Sequence, residues 1–271
     1  MGNTTVKKIV IGKGITNVGF YSFIGFKELK TVVLPDSITR IESFAFGGDE
    51  KLASINIPDS VEYIGDAAFI KTASLKTFTF PSKLRSIERD VFDQSGLESV
   101  VIPENVSKIG DAAFYLCKNL KEITILNPDC NIFDNSWTIA SHWEDIMDET
   151  SLRFGGVISG YDHSTAQAYA KKYGYSFESL GEAPTPDVLL GDSNFDGKID
   201  SSDATFCLVE YAKLATGDTS SITYAERYAA NVNKDSAVDS KDASAILSYY
   251  SYTATGGKES LEDFLFPKTE K

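Results

Sequence analysis

Pro35, Pro58, Pro81 and Pro103 recur at intervals of 23, 23 and 22 residues, and much of the first half of the chain keeps step with them. Phe23, Phe46, Phe69, Phe92 and Phe114 share the period, as do Leu29, Leu52, Leu75, Leu97 and Leu120. The unit reads Leu-x-x-apolar-x-apolar-Pro, then apolar-x-x-Ile, then a small residue and Phe. In Ile55-Asn56-Ile57 the apolar residues alternate, which is the period of a half-buried strand. The proline then stops the strand, because it has no N–H to give a ladder. One unit is too small to bury its own apolar face, and stacked units bury it together. The repeat therefore predicts a β-rich solenoid over about residues 6–126, with Gly12 standing where the first proline belongs.

The stretch from Asn131 to Phe154 breaks this pattern and holds Trp137, His142 and Trp143. It reads either as an apolar cap over the last full repeat or as a ligand-contacting excursion. Further on, Ser164-Thr165-Ala166-Gln167 predicts a capping box opening a helix to about Tyr173, with Gly174 as its stop. Gly181 to Asp187 contains Pro184 and Pro186, the composition of a short, semi-rigid linker. The expected domains are 1–180, a linker 181–187, and 188–271.

The last part of the chain carries a second repeat. Asp192, Asn194, Asp196, Asp200 and Asp203 place side-chain oxygens at positions 1, 3, 5, 9 and 12 of a twelve-residue loop, with the Lys198 carbonyl at position 7. Calcium takes six to eight oxygens in this pattern. Gly197 stands at position 6, where the turn is sharp, and Ile199 at position 8 ties the loop to a core. The loop returns 39 residues later as Asn231, Asn233, Asp235, Ala237, Asp239 and Asp242, with Ser236 at position 6. Asp203-Ala204-Thr205 matches Asp242-Ala243-Ser244, Leu208 matches Leu247, and Ile222 to Ala229 reads as a short connecting helix. Thr205, Leu208, Val209 and Ala212 fall on one helical face, whereas Ala204, Cys207 and Tyr211 point toward the second repeat.

Two motifs in these residues carry resemblances. The 23-residue unit is similar to BspA-type leucine-rich repeats of bacterial surface proteins, and Val157 to Leu180 resembles the unit that closes such arrays. Residues 188–267 resemble a type I dockerin, the calcium-dependent plug that docks cellulosomal proteins onto cohesin modules of a scaffoldin. Both loops depart from the usual EF-hand in ending on Asp rather than Glu. Val209-Glu210-Tyr211-Ala212 and Ser248-Tyr249-Tyr250 look most like ruminococcal dockerins. The implied fold is a leucine-rich repeat solenoid followed by a small all-α dockerin with two EF-hand-like loops holding two calcium ions. The resemblance implies cohesin contacts at Ser201, Ser202, Thr205, Leu208, Val209 and Ala212, and in the second copy at Ser240, Lys241, Leu247 and Ser248. Many dockerins carry Lys or Arg where this chain has Leu208 and Val209, so a more apolar interface is expected. The implied protein is secreted, extracellular and attached to a cellulosome, with an array that binds an unknown protein or surface. The alternative is a cellulosomal enzyme or an enzyme regulator in polysaccharide degradation.

Composition narrows the function further. A net charge of −13 argues against nucleic acid and anionic membranes, and no apolar run approaches the roughly 20 residues of a span. Cys117, Cys130 and Cys207 make no disulfide framework, and Cys117 and Cys207 read as buried thiols. Met1-Gly2 looks like an expression start, so a targeting segment is expected to precede the natural chain. Asp162-His163-Ser164 superficially matches a triad, but sequence neighbours do not converge as a triad must. Glu144 and Asp145 are an acidic pair with no cleft built around them. The front-face strand positions, Val10, Val33, Asn56, Thr79, Val101 and Thr124 among them, present no aromatic ring. A non-catalytic array with a protein-binding or spacer role is the expectation.

Overall fold

The computed structural model describes residues 3–143, 151–216, 222–235 and 237–267. Met1, Gly2, Glu144, Asp145 and Ser236, and the side chain of Trp143, lie outside the described residues. The chain divides into two compact units, Met1–Ala183 and Pro184–Lys271.

In the first unit most turns of the chain lay one short strand on a front sheet and one on a lateral sheet. The front strands are β1 (Lys8–Val10), β3 (Thr31–Val33), β5 (Ser54–Asn56), β8 (Ser99–Ile102), β10 (Glu122–Ile125), β14 (Val157–Gly160) and β15 (Ser176–Ser179). The lateral strands are β2 (Asn17–Val18), β4 (Arg40–Ile41), β6 (Tyr63–Ile64), β7 (Ser86–Ile87), β9 (Lys108–Ile109) and β11 (Asn131–Ile132). Neighbours pair in parallel, with Val32 opposite Ile55 and Ile109 opposite Ile132. Like residues therefore stack on like, and each column of the repeat becomes a column of core. Leu29, Leu52, Leu75, Leu97 and Leu120 are all buried. Phe46, Phe69, Phe92 and Phe114 are fully buried and stack face to face, with successive centroids 5.5, 5.8 and 5.5 Å apart. Phe69→Ala removes three ring contacts, with Phe46, Phe78 and Phe92, and leaves a cavity between rungs. It is expected to cost about 3–5 kcal/mol, read as a lowered denaturation midpoint of the array.

Two positions per turn are left-handed. Tyr21, Phe44, Ala67, Asp90 and Ala112 form one such series, and Gly25, Gly48, Lys71, Gln94 and Leu116 the other. Only two of these ten are glycine, and the N–H groups of Tyr21, Phe44, Ala67, Lys71, Asp90 and Gln94 donate to carbonyls of the next rung. The Phe69 N–H donates to Val91 and the Phe92 N–H to Ala113 (both 2.9 Å).

Both sheets break at one place. Among the described residues, no backbone hydrogen bond joins residues 77–80 to β5 or β8, and β6 does not pair with β7. Phe78 and Phe80 stand where neighbouring rungs carry Ile55 and Ile57, or Val100 and Ile102. Their rings pack edge-on against Phe69 and Phe92 at 4.8 to 6.0 Å. Two rings where the repeat provides for aliphatic side chains push this rung out of register with its ladder.

The expected break after Asn131 is only partial. β11 pairs with β9, and Ile139 bridges to Phe114, so residues 131–140 form another rung without its signature residues. The insertion is the antiparallel pair β12 (His142–Trp143) and β13 (Leu152–Arg153), after which β14 rejoins β10. Trp137 is not a buried cap: its ring is 42% exposed, and its Nε1–H donates to Asp111 at 3.0 Å. Helix α1 (Thr165–Tyr173) closes the array, with Gly174 at φ 71 as its stop. The capping differs in detail from a capping box. Ser164 accepts from the Gln167 N–H, but Gln167 Oε1 accepts from the His163 N–H (2.9 Å) instead of reaching Ser164.

Asp49 and Asp93 are buried in the turns. Asp49 accepts from the Phe26 N–H through Oδ1 at 2.6 Å, and its Oδ2 has no partner. Burial pushes the Asp49 carboxyl up from 3.8 to about 7 and that of Asp93 up to about 6. The folded state then holds more protons than the unfolded state between about pH 4 and 7, so stability falls as pH rises through that window. Asp49→Asn keeps the acceptor for Phe26 without the charge. It is expected to raise stability near pH 8 by about 1–2 kcal/mol and to flatten the pH profile of array melting.

In the second unit the described elements are helices: α2 (Ser201–Ala215), α3 (Tyr224–Ala230), α4 (Ser240–Ala254) and α5 (Leu261–Leu265). α3 opens on a Thr223–Glu226 capping box. The core is small: Ala204, Cys207, Val232, Val238, Ala243, Ile246 and Leu261, with Ile222 and Ala230. Tyr211 does not face it. Tyr211 is 46% exposed, whereas Glu210 is buried with neither carboxylate oxygen partnered. The buried stripe of α2 runs Asp203, Ala204, Cys207, Glu210: Ala204 and Cys207 are buried as expected, and Glu210 takes the place expected of Tyr211.

Candidate functional site

The two twelve-residue loops fold around the same backbone bonds. In the first, N–H groups of Asp196, Lys198, Asp200 and Ser202 donate to Asn194 Oδ1, Asp196 Oδ1, Asp203 Oδ2 and Asp200 Oδ1 at 2.8 to 2.9 Å. In the second, N–H groups of Asp235, Ala237, Asp239 and Lys241 donate to Asn233, Asp235, Asp242 and Asp239 at 2.6 to 2.9 Å. The closing residues Asp203 and Asp242 are fully buried and also cap α2 and α4. The 39-residue sequence repeat is thus a repeat of hydrogen bonds. Left-handed Phe195 and Lys234 take equivalent places, and Gly197 has φ 84.

The loops differ at position 1. Asp192 accepts from the Asp196 N–H (3.0 Å) and the Gly197 N–H (2.9 Å). Asn231 donates to the Asp235 carbonyl at 2.7 Å, which leaves its Oδ1 buried without a partner. The Lys241 ammonium lies 3.7 Å from Asp235 and 3.8 Å from Asp239. A cationic group thus already stands beside the carboxylates of the second loop. Burial, together with the nearby charges of Asp235 and Asp239, raises the Asp242 pKa. Hydrogen bonds from Ser202 lower that of Asp200. Among the described residues, no three His, Cys, Asp or Glu side chains gather closely enough to hold a metal.

Beside the loops, Ser201, Ser202, Thr205, Leu208, Val209 and Ala212 are all exposed on α2. Ser240, Lys241, Leu247 and Ser248 are exposed on α4. Leu208 and Val209 are 44% and 50% exposed, so neither is committed to the core. The tail does not cover them: Phe264 packs on Tyr249 and Tyr252 of α4, at 5.7 and 4.9 Å. On α4 the hydroxyls of Ser244 and Ser248 donate back to Ser240 and Ser244 carbonyls, so that face is more polar and partly self-satisfied.

In the array the triad-like residues serve structure. Asp162 accepts from the Ser179 hydroxyl (2.6 Å), and Ser164 is a buried helix cap. All three cysteines are free and buried. The broken rung borders an open cleft of about 370 Å³, lined by Thr77, Phe78, Thr79, Phe80, Ser99, Val100, Val101 and Pro103. Nothing in that lining supplies an acid, a base or a nucleophile pair. No helix among the described residues is long and apolar enough to cross a membrane.

The stacked parallel rungs define the first unit as a leucine-rich repeat β-solenoid. Residues 2–121 match the BspA type leucine-rich repeat region in six copies. A leucine-rich repeat protein from Eubacterium ventriosum is 29% identical, over 44% of this chain and 32% of its own length, with a TM-score of 0.42. The chain thus spans about a third of that protein. The T. pallidum leucine-rich repeat protein is 27% identical over 65% of this chain and 86% of its own, with a TM-score of 0.45. One from Bacteroides ovatus is 18% identical over 72% and 64%, with a TM-score of 0.40. No curated protein matches the chain. Leucine-rich repeat regions are generally non-catalytic, and this one is suited to protein binding.

Proposed function

We propose that the second unit is a calcium-dependent docking module of the dockerin kind, which attaches the repeat array to a cohesin of an extracellular, cellulosomal scaffoldin. The observation that carries this reading is the doubled loop–helix. Two acidic loops share one hydrogen-bond pattern, and each runs into a fifteen-residue helix with an exposed, partly apolar face. The orphaned Asn231 Oδ1 and the ammonium drawn to Asp235 and Asp239 fit a demand for positive charge at the second loop, and an ion would draw together carboxylates that do not gather without it. Asp192, Asn194, Asp196, Asp200 and Asp203, with the Lys198 carbonyl, would hold one ion. Asn231, Asn233, Asp235, Asp239 and Asp242, with the Ala237 carbonyl, would hold the other. The ion supplies charge neutralisation, and the chain supplies the oxygens and the helix start beside them. The array is the carried module and binds protein.

The test is retention of the full chain on a panel of immobilised cohesins, in calcium and in excess chelator. Calcium-dependent retention by at least one cohesin is expected, and indifference to every cohesin counts against the reading. The two sites are also expected to differ. The second loop brings one fewer carboxylate and places Lys241 beside two of the rest. Calcium titration should show two unequal steps, with Asp196→Ala removing the tighter one. Two equal steps, or loss of the tighter step on Asp235→Ala, would contradict this.

A further inference from the structure

The two acidic loops part company at position 11, the residue before the closing aspartate. In the first loop this is Ser202, whose hydroxyl donates to Asp200 Oδ1 (2.7 Å) and accepts from Asn194 Nδ2 (2.8 Å). In the second it is Lys241, whose ammonium lies 3.7 Å from Asp235 Oδ2 and 3.8 Å from Asp239 Oδ2. Those carboxylates stand at positions 5 and 9 of their loop. The other lysine of the second loop is turned away: Lys234 pairs with Glu262 and lies over the Phe266 ring. Among the described residues, no ammonium pairs with a carboxylate of the first loop.

The placement of Lys241 follows from the start of α4. Its own N–H donates to Asp239 Oδ1 at 2.6 Å, so the helix cap holds the lysine stem beside the carboxylate. The side chain is nonetheless 72% exposed, so the head can leave without disturbing any packing. The ammonium sits beyond hydrogen-bond distance of both oxygens and brings one charge. Calcium brings two charges and takes six to eight oxygens. The ammonium also leaves Asn231 Oδ1 buried without a partner, an acceptor that a metal ion would satisfy. A counter-ion close to two loop carboxylates, loosely held and incomplete in its contacts, is suited to be displaced.

We infer that Lys241 is a built-in substitute for the second calcium ion. Its ammonium neutralises Asp235 and Asp239 while only the first loop is loaded, and yields their oxygens when the second ion enters. The lysine thereby stabilises a folded, half-loaded unit and weakens the second calcium step, because that ion must displace it. The inference rests on the calcium reading of the loops and deepens it.

The test uses the full chain and two variants. Lys241→Met keeps the stem without the charge, and Lys241→Arg keeps the charge. Each is titrated with calcium by calorimetry, and each is melted at one equivalent of calcium per chain while the helical signal is followed. Lys241→Met is expected to tighten the weaker calcium step by about threefold or more and to lower the melting midpoint of the half-loaded unit. Lys241→Arg is expected to leave both near those of the unchanged chain. A positive charge that merely repelled calcium would give the tightening alone, since it would do nothing for the half-loaded fold. Tightening with an unchanged midpoint therefore overturns the inference, and so does a weaker step indifferent to Lys241→Met. In both cases the calcium reading stands. An unchanged chain that shows no calcium step at all overturns the calcium reading itself and this inference with it.

Discussion

Stripping calcium from the full chain is expected to abolish most of the helical signal of residues 184–271 and leave the strand signal of the array in place. The reason lies in the two cores. The array buries column upon column of Leu, Ile and Phe. Among the described residues the second unit's core cluster has nine buried members, three of them alanines and one a cysteine, too little apolar surface to hold a small domain without help. Without a cation, Asp192, Asp196, Asp200 and Asp203 repel one another in a single loop. Each bound ion contributes about 4 kcal/mol when free calcium is a thousandfold above Kd, so two ions decide whether the unit folds. Circular dichroism in calcium and in chelator, followed by melting of what remains, checks this. A helical spectrum unchanged by chelator would show that the loops fold without metal.

The second large effect is at the exposed face of α2. Leu208→Asp with Val209→Asp is expected to abolish cohesin binding, at least a hundredfold loss, while calcium affinity stays normal. These side chains stand clear of the core and of the tail, so the change adds two desolvated charges to the interface and nothing to the interior. The matching change on α4, Leu247→Asp with Ser248→Asp, should cost far less, because that face is already serine-rich and Lys241 is turned toward the loop carboxylates. Calorimetry of both variants against the cognate cohesin separates a single face from an internally symmetric pair. Equal losses would show that both faces dock.

The repeat period laid out the rungs of the array, because stacking forces every column to share one chemistry. Leu29 to Leu120 and Phe46 to Phe114 went inside together. Phe23 is half-buried, with Phe46 stacked on one of its faces. The rung at 131–140 was hidden because Ile139 does the work of the Phe and no proline marks the strand. The break at residues 77–80 was hidden because Phe78 and Phe80 satisfy the apolar pattern while exceeding its volume. The left-handed positions were hidden because only two of the ten are glycine, and backbone bonds to the next rung hold six of the others. In the second unit the repeat of turn hydrogen bonds was legible from the 39-residue spacing, as were Ala204 and Cys207 in the core. The burial of Glu210 in place of Tyr211 was not legible: the two are adjacent, and the apolar one reads as the buried one. Lys241 gave no sign in the sequence that it folds back toward Asp235 and Asp239.

The most direct measurement is the amount of calcium bound at saturation by the full chain, by equilibrium dialysis against buffered calcium. The account predicts two ions per chain, falling to one when Asp196 and Asp203 are both changed to alanine. No bound calcium, with the helical unit folded, would contradict it.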